Sequence, residues 1–157
     1  MAFDKAKAFL DEAGFGDRVM VFDVSSATVD LAAVAVGTEP AKIAKSLTFM
    51  VEDKAVMVVC AGTAKVNNSK FKAQFHTKAK MLTYDEVHEM IGHDVGGVCP
   101  FGVNAGVEVY LDISLKQFDT VYPACGSDNS AVRLTPSEFE SIAKPLAWVD
   151  VCKMPEE

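Results

Sequence analysis

Phe3, Ala6, Leu10 and Ala13 recur at helical spacing and Gly14 follows them, so the pattern predicts an amphipathic opening helix with a glycine stop. Val19-Met20-Val21-Phe22 is a short apolar run of strand type. Thr28 stands where an N-cap belongs, ahead of Val29, Ala32, Ala33 and Val36 on one helical face, and Gly37 ends that segment. A short turn through Pro40 to Ala44 leads into two strands, Ser46 to Val51 and Ala55 to Ala61, joined by the hairpin loop Glu52-Asp53-Lys54.

Beyond the hairpin, Phe71 and Phe75 form an i, i+4 apolar pair in a helix predicted from Asn68 to Phe75. Thr83-Tyr84-Asp85-Glu86 is a capping box that opens a helix ending near Gly92. Val107, Val109 and Leu111 alternate with Glu108 and Tyr110, as in a half-buried strand. Residues 119 to 124 and 130 to 134 add two more strands. Thr135-Pro136-Ser137-Glu138 is a second capping box, with proline at the first helical position, and a terminal strand is expected over Ala147 to Val151. Helices interrupt hairpins irregularly, without repeat or linker. The predicted class is α/β (α+β): a single domain over residues 1–157 around a mixed sheet.

With 157 residues, half of them hydrophobic, the chain can bury a full core without metal or disulfide support. Its most apolar window, Ala55 to Ala61, is only strand length, which argues against a membrane span. The first residues lack the plan of a secretory signal, and a cytoplasmic location is expected. Cys60, Cys99, Cys125 and Cys152 form no C-x-x-C pair, and His76, His88 and His93 form no H-x-x-x-H pair. Neither metal nor cofactor is expected, and the cysteines read mostly as reduced core thiols.

Net charge is −7, which argues against a protein that coats DNA or other nucleic acid nonspecifically. The distribution changes that picture. Residues 65 to 80 hold Lys65, Lys70, Lys72, Lys78, Lys80 and His76 without a single acid, which leaves −12 for the remainder. Two readings stay open for this segment: a surface that meets phosphates, or a solvated helix face.

Gly92, Gly96, Gly97, Gly102 and Gly106 fall within fifteen residues that also contain Pro100. Such density permits positive φ and close approach of backbone N–H groups to a ligand. The spacing fits neither phosphate-loop formula, since no Lys-Ser/Thr follows and the order is not G-x-G-x-x-G. A tight structural turn explains isolated glycines, and a ligand-facing loop better explains the adjacent pair Gly96-Gly97 near Pro100.

Three segments taken together carry a resemblance: Ser25 to Ala33, Ile43-Ala44-Lys45-Ser46-Leu47-Thr48-Phe49, and Val95-Gly96-Gly97-Val98-Cys99-Pro100-Phe101-Gly102 followed by Val109-Tyr110-Leu111-Asp112. In this order and separation the chain resembles the YbaK family, the aminoacyl-tRNA editing domain found free-standing or inserted in bacterial prolyl-tRNA synthetases. The similarity runs from about residue 14 to about residue 150. It implies a mixed, partly barrel-like sheet surrounded by helices, and hydrolysis of the ester that joins a wrong small amino acid such as alanine, cysteine or serine to tRNA, with tRNA-Pro as the expected carrier. Aminoacyl-tRNA is the implied partner, with prolyl-tRNA synthetase a second candidate. A non-catalytic module that grips aminoacyl-tRNA or a synthetase is the alternative.

Carried over residue by residue, the resemblance implies catalytic roles for Lys45, Gly96 and Gly97. It implies substrate contacts from Thr28, Ser46, Val98, Pro100, Phe101, Gly102, Gly126 and Ser127. Lysine is a poor base at neutral pH, so the expected task of Lys45 is electrostatic: to hold a terminal phosphate or the ester oxygen as charge develops. The glycines would let backbone N–H groups reach the carbonyl or ribose. No Ser-His-Asp arrangement is recognisable, and the attacking group would be a bound water, the neighbouring ribose hydroxyl or a substrate thiol. Cys99 lies in the loop, yet family members commonly place Ser or Pro there, which speaks against a required thiol. Around Cys125 to Ala131 the chain departs from the branch that removes cysteine, leaving the amino-acid specificity open. Asp112 reads as a helix cap. Lys65, Lys70, Lys72 and Lys78 are the expected tRNA contacts.

Overall fold

The computed structural model describes residues 2–155. Helix α1 (Ala2–Ala13) ends at Gly14, whose φ of 90° is the left-handed conformation that stops it. After a 3-10 turn come strand β1 (Val19–Val21) and helix α2 (Val29–Val36). Thr28 caps α2 by accepting a hydrogen bond from Leu31 N, and Gly37 closes it in the αL region. Strands β2 (Ile43–Val51) and β3 (Lys54–Ala61) form an antiparallel hairpin. Its turn is two residues, Glu52 and Asp53, both at positive φ, the twist that matches right-handed strands. Lys54, expected in the loop, is the first residue of β3.

Strand β4 (Lys65–Val66) precedes α3 (Asn68–Phe75), which Asn67 caps. Helix α4 (Tyr84–Glu86) opens on the capping box of Thr83 and Glu86 and widens into a π-helical turn, Val87–Ile91, that stops at Gly92. The remaining elements are β5 (Glu108–Asp112), β6 (Tyr122–Pro123), β7 (Ser130–Val132), α5 (Pro136–Ala143), β8 (Ala147–Val149) and β9 (Cys152–Lys153). Asp112 caps the 3-10 turn after β5 through Ser114 N and also accepts from Val151 N, so the buried carboxylate is structural. The strands expected over 119 to 124 and 130 to 134 are shorter than their patterns.

Five strands in the order β6-β2-β3-β5-β8 make the main sheet, mixed in direction. Bridges Val121↔Leu134 and Ala124↔Ala131 tie β6 to β7, which pairs with β1, so the sheet curls into a half-barrel. One face packs Met57, Val59 and Leu111 against Leu10 of α1 and Phe139 of α5. The other packs Phe49, Val58 and Cys60 against Phe71 of α3 and against Val151. β3 is therefore apolar at consecutive positions and buried from Ala55 to Ala61. A third, smaller cluster joins Ala32 and Ala33 of α2 to Ile43, with Tyr122 beside it. That last contact stands α2 at the edge of β2, where the sheet leaves an opening.

Candidate functional site

The opening is a cavity of about 280 Å³ whose wall includes Lys45, Ser46, Thr28, Gly96 and Val98. Lys45 and Ser46 are consecutive on β2, so their side chains leave the strand on opposite faces. Both reach the cavity because it wraps the strand's edge. Thr28 arrives as the cap of α2, and Gly96 arrives at φ 101°. A Cβ built on Gly96 would meet Ala27 and Asp128 at ordinary contact distances of 3.4 and 3.6 Å, so the positive φ, more than lack of space, calls for glycine there.

Val95 and Val98 of the glycine loop share that wall, and the loop's other candidate residues lie elsewhere. Gly97 packs on the loop after β6: a Cβ would stand 2.6 Å from Ser127 N, and Gly97 O accepts from Gly126 N at 3.1 Å. Gly126 (φ 81°) and Gly102 (φ 67°) leave no room for a side chain because α1 backs onto them, at Ala2 O and Lys5 O respectively. Phe101 is fully buried between Phe9 and Phe139. Pro100 and Gly102 line a different, larger cavity, beside Phe9 and Leu146. Ser127 Oγ binds Asn129 Oδ1 and Ser130 Oγ, and Ser130 in turn lines the site. Of the five glycines in the loop, Gly96 faces the cavity and Gly97 and Gly102 let backbones meet behind it, as Gly126 does in the later loop; Gly106 has open space around it and serves its positive φ alone.

Several wall residues receive no site role from the sequence, among them Ser26, Ala27, Ala124, Ala131 and Tyr122. Ser26 is the informative one. It is buried, with its N–H held by Asp128 O at 2.6 Å, yet its hydroxyl has no hydrogen-bond partner, and the same is true of Ser46 Oγ. Two orphan hydroxyls in one wall cost free energy unless something polar meets them. In the sequence Ser26 falls within the segment Ser25 to Ala33 that carries part of the resemblance, but no role attaches to it there.

Cys99 and His93 stand close together, with Sγ 3.7 Å from Nε2, but they are not arranged as a catalytic pair. Nε2 is 2.8 Å from Phe101 O and is therefore its donor, while burial pushes the Cys99 thiol up and the His93 imidazole down. Both are neutral and buried in the core. Among the described residues no group of three His, Cys, Asp or Glu side chains could hold a metal ion.

The basic segment divides. Lys70 is paired with Asp150 at 2.8 Å and donates to Cys152 O, whereas Lys72 and Lys78 are exposed and line a groove of about 370 Å³ with Asn68 and Ser69. Lys65 is exposed on β4. The segment does not stop at the groove, since its continuation, Met81 and Leu82, forms part of the cavity wall.

Residues 24–142 match the family model for the aminoacyl-tRNA editing domain. The chain belongs to that family. The uncharacterized protein YwhH of Bacillus subtilis is 52% identical over 136 residues, covering 86% of this chain and 87% of its own. Proline–tRNA ligase of Bacillus subtilis is 36% identical over 73 residues, which are 46% of this chain and 13% of the ligase. The structure of a candidate trans-editing enzyme for prolyl tRNA synthetase superposes with a TM-score of 0.86 at 29% identity, covering 97% of each chain. The editing-domain fold, a mixed sheet curled into a half-barrel, is thus shared along the full length. No helix among the described residues is long and apolar enough to cross a membrane.

Proposed function

We propose that this editing domain acts in trans as an aminoacyl-tRNA deacylase, removing a small, wrongly attached amino acid, with tRNA-Pro the expected carrier. The observation that carries this reading is the cavity itself: small, walled by Ala27, Ala32, Ala44, Ala124 and Ala131, with a lysine and an open-backbone glycine at its rim. In the reaction water adds to the ester carbonyl, the bond to the ribose oxygen breaks, and a free amino acid and a tRNA hydroxyl result. Lys45 supplies positive charge where the oxygen becomes negative. The neutral, core-buried Cys99 has no part in the attack. Size selects the substrate, one methylene being worth about 1–3 kcal/mol in such a pocket.

Incubation with tRNAs charged with alanine, cysteine, serine, threonine and proline tests the reading. Loss of ester from one or more of the small amino acids is expected. Binding without turnover would instead mark a module that holds aminoacyl-tRNA or a synthetase.

The tRNA backbone would approach along Lys72 and Lys78, from whose groove the chain runs on through Met81 and Leu82 in the cavity wall. Replacing both lysines by glutamine is expected to weaken tRNA binding and to flatten its salt dependence by about 0.7–0.9 in log–log slope for each phosphate left without its lysine. Lys70→Gln, by contrast, removes a cation already committed to Asp150 and should change the slope little. Titrations of tRNA between low and moderate salt distinguish the two variants.

A further inference from the structure

Strand pairing along the outer edge of β2 is interrupted. β6 pairs with it only at Ile43↔Tyr122 and Ala44↔Pro123, and pairing resumes where Leu82 N donates to Thr48 O and Lys80 O accepts from Met50 N. Backbone groups of a strand alternate sides, so Thr48 and Met50 fix the phase: Ser46 turns its N–H and its C=O out of the sheet, into the gap. That gap opens on the cavity, and the orphan hydroxyls of Ser46 and Ser26 lie in the same wall. A sheet edge left unpaired beside two unpartnered hydroxyls suits a ligand that both donates and accepts, in place of the water that would otherwise fill it.

We infer that the gap takes the aminoacyl group as a one-residue strand, and that the site therefore reads the free α-ammonium of its substrate; this rests on the deacylase reading. An α-aminoacyl ester carries a nitrogen donor and a carbonyl acceptor in the spacing of a peptide residue. Set antiparallel to Ser46, its carbonyl receives the Ser46 N–H and its ammonium donates to the Ser46 C=O. The remaining ammonium hydrogens meet the Ser46 and Ser26 hydroxyls, which gives both orphan groups a partner. The direction of the strand also sorts the charges. The Ser46 N–H lies on the Lys45 side, so the ester oxygen falls toward Lys45 and the ammonium falls away from it, toward Leu47. Ser46 thereby becomes a polarising group for the carbonyl, and Ser26 a determinant of substrate class. Esters of 2-hydroxy acids, matched in size but without the ammonium, fit the same space and leave the acceptors short of donors.

The test compares each aminoacyl-tRNA of the panel with its deaminated 2-hydroxyacyl counterpart, every enzymatic rate being divided by the spontaneous hydrolysis rate of the same ester. A preference for the amino form of about tenfold or more is expected, as for a site whose buried acceptors lose their donor. Ser26→Ala combined with Ser46→Ala, checked for an unchanged melting curve, should lower that preference severalfold while retaining part of it through the Ser46 main chain. If amino and hydroxy forms are cleaved within about threefold of each other, the inference is overturned and the deacylase reading stands. Cleavage of neither form by a protein that folds removes the deacylase reading, and this inference with it.

Discussion

Lys45→Ala is expected to slow deacylation by about 10²-fold or more, the usual effect of removing one preorganised stabiliser of a developing oxyanion. The reason lies in position more than in charge alone. Lys45 is only partly exposed, held by main-chain pairing to β3 opposite Cys60, and it adjoins Ser46, where the edge of β2 lacks a pairing strand among the described residues. No salt bridge is found for it among the described residues, so the substitution removes no ion pair from the fold, and the melting temperature should move little. Single-turnover hydrolysis measured beside thermal unfolding separates the two quantities. Turnover close to that of the unsubstituted protein would take Lys45 out of the mechanism, whatever the family resemblance implies.

Gly97→Val should be nearly as damaging to activity, by a different route and with a second signature. The new side chain has no space: its Cβ alone would stand 2.6 to 2.8 Å from the backbone of Gly126 and Ser127. Backbone cannot swing aside as a side chain can, so the two loops must part. Overpacking of this kind costs about 1–3 kcal/mol, and the parting displaces Gly96 on one side and the Ser127–Ser130 hydroxyl pair on the other, both tied to the cavity wall. Denaturant unfolding should therefore show a lowered midpoint along with lost deacylation. A variant of full stability and full activity would show that the loops have slack that the close approach denies.

Much of this architecture is readable from pattern because its signals are local. Thr28 and Gly37 bracket α2, and the boxes at Thr83 and Thr135 open α4 and α5, each through hydrogen bonds spanning three or four residues, while α3 shows itself by its Phe71–Phe75 pair. The strands β4 and β9 are invisible to pattern because two residues hold no alternation; only their mutual pairing, Lys65↔Lys153 and Val66↔Cys152, makes them strands. For the site the division is similar. Lys45, Ser46, Gly96 and Thr28 converge on the cavity, as a motif can suggest. Composition alone cannot separate Gly96, which faces the cavity, from Gly97, Gly102 and Gly126, which admit neighbouring backbone, since that difference is made by chain segments far apart in sequence. Ser26 lies beyond reach for the same cause, because an unmet hydroxyl is a property of packing.

The burial of β3 on both faces has a kinetic consequence. This strand is completed on one side by α1 and α5 and on the other by α3 and Val151, while β8 must still dock beyond β5. Its parallel partner β5 lies some fifty residues downstream, so loop closure has to precede most of the reward from burial. During synthesis α1 precedes the hairpin β2–β3 and α3 follows it closely, but β5, α5 and Val151 do not exist until much later. For that interval the seven-residue apolar strand Ala55 to Ala61 has an unpaired edge and incomplete cover, and the time to make the last third of the sequence is also the time during which two such chains can find each other.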